Sequence, residues 1–192
     1  YLSENKLRVT FLDAGQGDAS TVQLPDGKVM LIDGSTIGPD MGRMVIAPYL
    51  WSKGIRKIDY MVMINPHPDH YGGLVYVLDH FDVGGIWFNG MISDGATVLF
   101  QKAAQRKVPY KILKRGDMLE GNRYRIYVLH PYDEFYAGPS AEEYATRNSD
   151  SLLLKIESED ASLLFAGDIE QEAEEDILYL GSRLKSDIIK VP

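Results

Sequence analysis
The chain has 192 residues, 45% of them hydrophobic, and a formal charge of −8. That length and apolar content support a sizeable buried core and exclude a disordered chain, and the acidic balance argues against a protein that coats nucleic acid. There is no cysteine, so disulfide frameworks and thiolate ligation are excluded and any metal must be held by imidazole and carboxylate. No apolar run approaches a membrane span, and residues 1–6 have neither the basic nor the apolar part of a signal peptide. The first residue is Tyr1 and not Met, as expected for a piece of a longer, membrane-anchored or soluble, parent.

In chain order, residues 7–12 read as a short strand that stops at Asp13-Ala14-Gly15-Gln16-Gly17-Asp18, where two glycines allow a tight loop. Residues 20–24 and 28–33 read as strands joined by a hairpin at Pro25-Asp26-Gly27. A helix is predicted over 41–51, kinked or broken by Pro48 and stopped at Gly54. The nearly continuous apolar run 58–64 has the pattern of one strand covered on both faces. A helix is predicted over 72–81, with Leu74, Val77, Leu78 and Phe81 facing the core; His80, late in it, reads as a partner of the helix dipole or a surface residue. There follow a strand at 85–89, a helix at 95–106, and strands at 110–113, 118–119 and 124–129. Residues 131–147 read as a long excursion of the lid or binding-loop kind. Two further strands (152–156, 162–165), an acidic-started helix (172–180) and a last strand (187–191) close the chain.

The densest chemistry lies at the end of the apolar strand, in Asn65-Pro66-His67-Pro68-Asp69-His70 followed by Gly72-Gly73. Two prolines bias their predecessors towards extended geometry. His67, Asp69 and His70 therefore fan out from a stiff, non-helical loop as a candidate metal cluster, the plain alternative being a polar loop whose histidines cap a strand. The other feature is charge distribution: from Lys102 to Arg125 there are eight Lys or Arg against Asp117 and Glu120. That segment is either a set of solvated faces or a footprint for a phosphate backbone.

Taken together, Phe11-Leu12-Asp13-Ala14-Gly15-Gln16-Gly17-Asp18-Ala19, Leu31-Ile32-Asp33-Gly34, the His loop, Leu129-His130-Pro131, residues 148–151 and Phe165-Ala166-Gly167-Asp168-Ile169-Glu170 resemble the metallo-β-lactamase superfamily. Within it they are most similar to the extracytoplasmic domain of ComEC-type competence proteins. The resemblance implies one α/β domain over 1–192, an αββα sandwich of two mixed sheets flanked by helices, lacking its C-terminal end. It also implies hydrolysis of a phosphodiester or other ester by water activated at one or two divalent ions. His67, Asp69 and His70 fall on matching positions of the superfamily loop. Asn65 stands where that loop has its first His and would be a weak ligand at best. His130 falls on the third-motif His, Asp168 on the bridging carboxylate, and the last His of the family is absent from the chain. One ion would draw on His67, His130 and Asp168, a second on Asp69, His70 and Asp168, and this oxygen-rich set favours Mn²⁺ over Zn²⁺. Asp69 would orient or deprotonate water, with Asp168 as the other catalytic carboxylate.

Asp13 and Asp18 are expected to support the ligating histidines by hydrogen bonds, or else to be turn-forming carboxylates. Asn148, Ser149 and Ser151 are candidate substrate contacts. The expected activity is that of a nuclease acting on single-stranded DNA during uptake, on the extracytoplasmic side if the parent is of the ComEC type. Two alternatives are kept: a small-molecule ester or phosphodiester hydrolase, and a degenerate binding module. For the chain as it stands, weak or absent turnover is expected.

Overall fold
The computed structural model describes residues 6–35, 40–132 and 150–191. Three strands, β1 (Arg8–Phe11), β2 (Ser20–Gln23) and β3 (Val29–Ile32), form an antiparallel meander. The chain then crosses to β5 (Tyr60–Met63), β7 (Ile86–Phe88) and β8 (Tyr110–Ile112), all parallel to β3, completing a six-stranded sheet in the order β1-β2-β3-β5-β7-β8. A second sheet of five strands runs β13-β12-β11-β10-β9, built from β9 (Met118–Gly121), β10 (Tyr124–His130), β11 (Leu153–Ser158), β12 (Ser162–Phe165) and β13 (Ile188–Lys190). Its neighbours pair antiparallel except β12 and β13.

Period-two burial sorts the side chains into layers. Met30 and Ile32 of β3 with Val62 and Ile64 meet Ile126, Val128, Leu154, Ile156 and Phe165 of the second sheet in a core between the sheets. The alternate residues Leu31, Met61 and Met63 face outward against α1 (Ala47–Ser52), α3 (Leu74–His80) and α4 (Thr97–Gln105). On the far side Leu153, Leu164 and Ala166 pack on Ile177 of α5 (Gln171–Ile177) and Leu180. The result is the expected αββα order, and it explains why 60–64 reads as unbroken apolar sequence: both faces of β5 are covered.

Three elements depart from expectation. The run 58–64 is not one strand, because Asp59 interrupts it: its carboxylate accepts the Val29 N–H at 2.9 Å and pairs with Lys57. Ahead of it β4 (Lys57–Ile58) leaves the large sheet and pairs with β6 (Asp82–Val83). The helix at 41–51 is a π-helical turn, Gly42–Ile46, running into α1, whose first turn accommodates Pro48, a residue with no N–H to donate. Thirdly, the His loop is partly helical: Pro68–Tyr71 forms the single turn α2, with Pro68 in its first turn and His67 extended at its N-cap (φ −77°, ψ 153°). Among the described residues no helix is long and apolar enough to cross a membrane. The excursion at 131–147 lies, beyond its first two residues, outside the described residues, as do Asn148 and Ser149.

Candidate metal centre
The His loop leaves β5 at one edge of the sandwich and is tied down by backbone groups of the meander. Asp18 N–H donates to Asp69 O (3.3 Å), Gly34 N–H to His70 O (2.6 Å) and Gly73 N–H to Gly34 O (2.9 Å). Ser35, buried, closes the bundle by donating its hydroxyl to Ala14 O at 2.6 Å and its N–H to Asp18 O at 2.7 Å. Gly17 sits at φ +115°, and a Cβ there would lie 2.5 Å from Asp69 O. Gly17 thus lets one backbone rest on another, and the 13–18 loop supports the site chiefly through its main chain.

His70 is the centre of the arrangement. Its ring is 1% exposed and lies between two carboxylates, with Nδ1 2.9 Å from Asp33 Oδ2 and Nε2 2.9 Å from Asp168 Oδ2. Burial opposes a charge on this ring, but Asp33 and Asp168 outweigh it and push its pKa up to about 11, so both ring nitrogens donate. Asp33 is itself 1% exposed; its other oxygen accepts the Ile64 N–H at 2.8 Å, and full burial raises its pKa against the pull of His70. Asp168 is held below the ordinary carboxylate value, first by the His70 hydrogen bond against its own partial burial, and further by the charges of Lys190 and His67.

Asp69, His70 and Asp168 offer three ligand atoms within 4.8 Å of one another. The 2.9 Å between His70 Nε2 and Asp168 Oδ2 is the spacing of adjacent ligands with bonds of about 2.1 Å to one ion. A carboxylate on the far ring nitrogen is the usual device that fixes which nitrogen ligates, and Asp33 occupies that place. By donor chemistry and by spacing these residues fit a divalent cation. An ion there would have to displace the Nε2 proton of His70.

The other expected site residues are distributed differently. His67 is half-buried and close enough for its charge to act on Asp168, but it is not part of the 4.8 Å group. His130, 0% exposed at the end of β10, lies with Nδ1 3.7 Å from Asp176 of α5 and is also outside that group. Asn65 is 0% exposed and committed to structure: its Oδ1 accepts the His67 N–H at 3.0 Å and its Nδ2 donates to Ser151 Oγ at 2.9 Å. In this structure Asn65 clamps the His loop to the Ser151 segment. Ser151 is likewise buried, and its Oγ also accepts the Asp168 N–H at 3.3 Å, so it braces the loop that carries Asp168.

Among the described residues neither Asp13 nor Asp18 bonds a histidine. Asp13 is exposed, and Asp18 pairs with Lys190 Nζ at 2.8 Å; the carboxylate on His70 is Asp33. The basic segment is largely neutralised in place: Lys102 pairs with Asp79, Arg115 with Asp176, Arg123 with Glu159, and Arg125 with Glu120. Two residues were not singled out from sequence. Asp33 was legible as a carboxylate closing a strand buried on both faces, where an ionisable group needs a partner. Lys190 was legible as the single cation in the apolar run Ile188-Ile189-Lys190-Val191.

Comparison with known proteins agrees with this fold. Over 199 residues the chain is 28% identical to ComE operon protein 3 of Bacillus subtilis, covering 95% of this chain and 25% of that protein. Over 190 residues it is 26% identical to competence protein ComA of Neisseria gonorrhoeae, covering 97% and 23%. The chain thus spans about a quarter of the length of these curated relatives. Among solved structures, the archaeal metallo-beta-lactamase superfamily protein ST1585 from Sulfolobus tokodaii superposes with a TM-score of 0.58 at 12% identity, covering 95% of this chain and 78% of that one. A "possible metal-dependent hydrolase" from Veillonella parvula gives 0.54 at 15% identity, covering 96% and 70%. CmlA, a diiron beta-hydroxylase from Streptomyces venezuelae, gives 0.57 at 13% identity, covering 97% and 34%. The family model for the metallo-beta-lactamase superfamily matches residues 12–188, nearly the whole chain, and with the sandwich and the His loop already in place, the chain belongs to that superfamily.

Proposed function
We propose that this chain is a metal-dependent phosphodiesterase acting on single-stranded DNA in the setting of DNA uptake. The observation that carries the hydrolase reading is the convergence of Asp69, Asp168 and a His70 oriented by Asp33 at one edge of the sandwich. The curated relatives, ComE operon protein 3 and competence protein ComA, support the substrate class. Asp69, His70 and Asp168 would hold the ion, with His67 and His130 as further candidates. Two carboxylates to one imidazole favour Mn²⁺ over Zn²⁺. Such an ion, when bound, lowers the pKa of water and offsets charge developing on phosphorus.

The protein's own part is to orient. Asp33 holds the His70 ring so that Nε2 faces the site, and Ser151 holds the Asp168 backbone. Asp69, half-buried on the first turn of α2, is placed to direct a water or take its proton. Incubation of the intact domain with single-stranded DNA and Mn²⁺, with and without chelator, tests the reading: chelator-sensitive cleavage is expected there, with weak or absent turnover in residues 1–192 alone, and no cleavage by the intact domain overturns it.

A second reading, a hydrolase of small phosphodiesters or carboxylic esters, is favoured by one observation, the pairing of five of the eight cations in 102–125 with acidic neighbours. Turnover of bis(p-nitrophenyl) phosphate with no cleavage of DNA would select it. If the protein retains no ion and cleaves neither, it is a binding module built on the same sandwich.

A further inference from the structure
The edge of the candidate centre is crowded with carboxylates, Asp18, Asp33, Asp69 and Asp168, and an anionic substrate must approach against them. One cation reaches in from an unexpected place. Lys190 lies on β13, whose parallel pairing with β12 brings it beside the loop that carries Asp168: Leu164 is opposite Ile189, Phe165 opposite Lys190, and Ala166 N–H donates to Lys190 O at 3.0 Å. Its neighbours on the strand, Ile188, Ile189 and Val191, are exposed and apolar. The Lys190 side chain is 23% exposed and its ammonium lies 2.8 Å from Asp18 Oδ2.

Asp18 is a firm platform for it. Its N–H donates to Asp69 O and its carbonyl accepts the Ser35 N–H. A partly exposed ion pair of this kind contributes little to stability, so fold maintenance is a weak reason to place a lysine there. An ammonium has three N–H donors. Among the described residues Lys190 Nζ has two acceptors, Asp18 Oδ2 and Val191 O. The third donor is left for a group arriving from solvent.

We infer that Lys190 is the anion contact of the site, its ammonium held ready by Asp18 to receive a non-bridging oxygen of a phosphodiester. The inference rests on the phosphodiesterase reading and names the side chain that would favour a charged ester over a neutral one. Lys190 makes no covalent bond and moves no proton in this role. It offsets charge on the substrate and fixes its approach.

The test compares the wild type with Lys190→Met, Lys190→Arg and Asp18→Asn, all loaded with Mn²⁺, using bis(p-nitrophenyl) phosphate and the neutral ester p-nitrophenyl acetate. Loss of one charged hydrogen bond predicts a KM for the phosphodiester raised about tenfold to a hundredfold in Lys190→Met, with kcat changed less than about threefold. Lys190→Arg should recover most of that loss, while hydrolysis of the neutral ester, Mn²⁺ affinity and thermal midpoint stay at wild-type values. Equal loss on both esters or a parallel fall in Mn²⁺ affinity would make Lys190 a structural tie, and a wild-type KM for the phosphodiester in Asp18→Asn would show that Asp18 does not hold it ready; each overturns the inference. Calorimetric titration of the phosphodiester separates this from failure of the hydrolase reading. Without turnover, binding to the wild type that weakens in Lys190→Met still supports the contact; equal binding by the two, or none to the wild type, overturns it.

Discussion
His70 shows how little of a buried polar residue is visible in its own letter. An imidazole 1% exposed is tolerable because both nitrogens have carboxylate partners at 2.9 Å. Asp33 is the partner that persists when Nε2 turns to an ion, and it takes a positive φ of 58° to reach the ring. Asn also adopts that conformation readily, so Asp33→Asn should fold normally yet bind Mn²⁺ about 10- to 100-fold more weakly, as loss of an orienting carboxylate does elsewhere; isothermal titration reads this directly. Asn65 makes the opposite case. Replacing it by His would remove the acceptor of the part-buried His67 N–H and one of the two donors to the buried Ser151 hydroxyl. Asn65→His should therefore destabilise the fold by about 1–3 kcal/mol in urea unfolding and leave Mn²⁺ affinity no higher. A tighter site in that variant would restore Asn65 to the ligand set.

At the scale of elements, the site depends on how closely α3 and the His loop approach the meander. A Cβ on Gly73 would lie 2.3 Å from Gly34 O and 2.7 Å from Gly42 N, backbone atoms of two other segments that have no flexible side chain to withdraw. Gly73→Ala should accordingly cost about 3 kcal/mol or more and shift the loop carrying Asp69 and His70, lowering both the thermal midpoint and Mn²⁺ affinity. The same substitution at Gly54, where a Cβ meets nothing within 4 Å, should leave Mn²⁺ affinity unchanged, with only the strain of a positive φ to absorb. Proline placement also acts here: Pro68 starts α2 instead of preventing it, because the first helical position needs no N–H.

For the whole molecule, the ion is expected to act as a brace between the two sheets. Asp69 and His70 follow β5 of one sheet and Asp168 follows β12 of the other. Ligand binding restricted to the folded state adds about 2.7 kcal/mol at a hundred times the Kd, which for a chain of this size is a rise of roughly 5–11 °C in Tm. Thermal unfolding in Mn²⁺, reversed by chelator and lost in His70→Ala, checks it. No shift in the wild type would remove the metal from the account.

What the sequence alone determined was local or periodic. The doubly covered strand, the hairpin at Pro25-Asp26-Gly27 and the His-Pro-Asp-His cluster follow from apolar periodicity, turn chemistry and the clustering of ligand-type side chains within a few residues, and the αββα plan from the resemblance those motifs carry. Tertiary structure alone decided which lone pairs and protons were already engaged. Asp33 reaches His70 across 37 positions, Asn65 reaches Ser151 across 86, and Lys190 reaches Asp18 across 172. Asp59 splits an apolar run by accepting a hydrogen bond from Val29, 30 residues earlier. Burial removes water as a partner, so each such group must find another in a neighbouring strand or loop. Which group it finds depends on strand order and register, and those are properties of the assembled sheets.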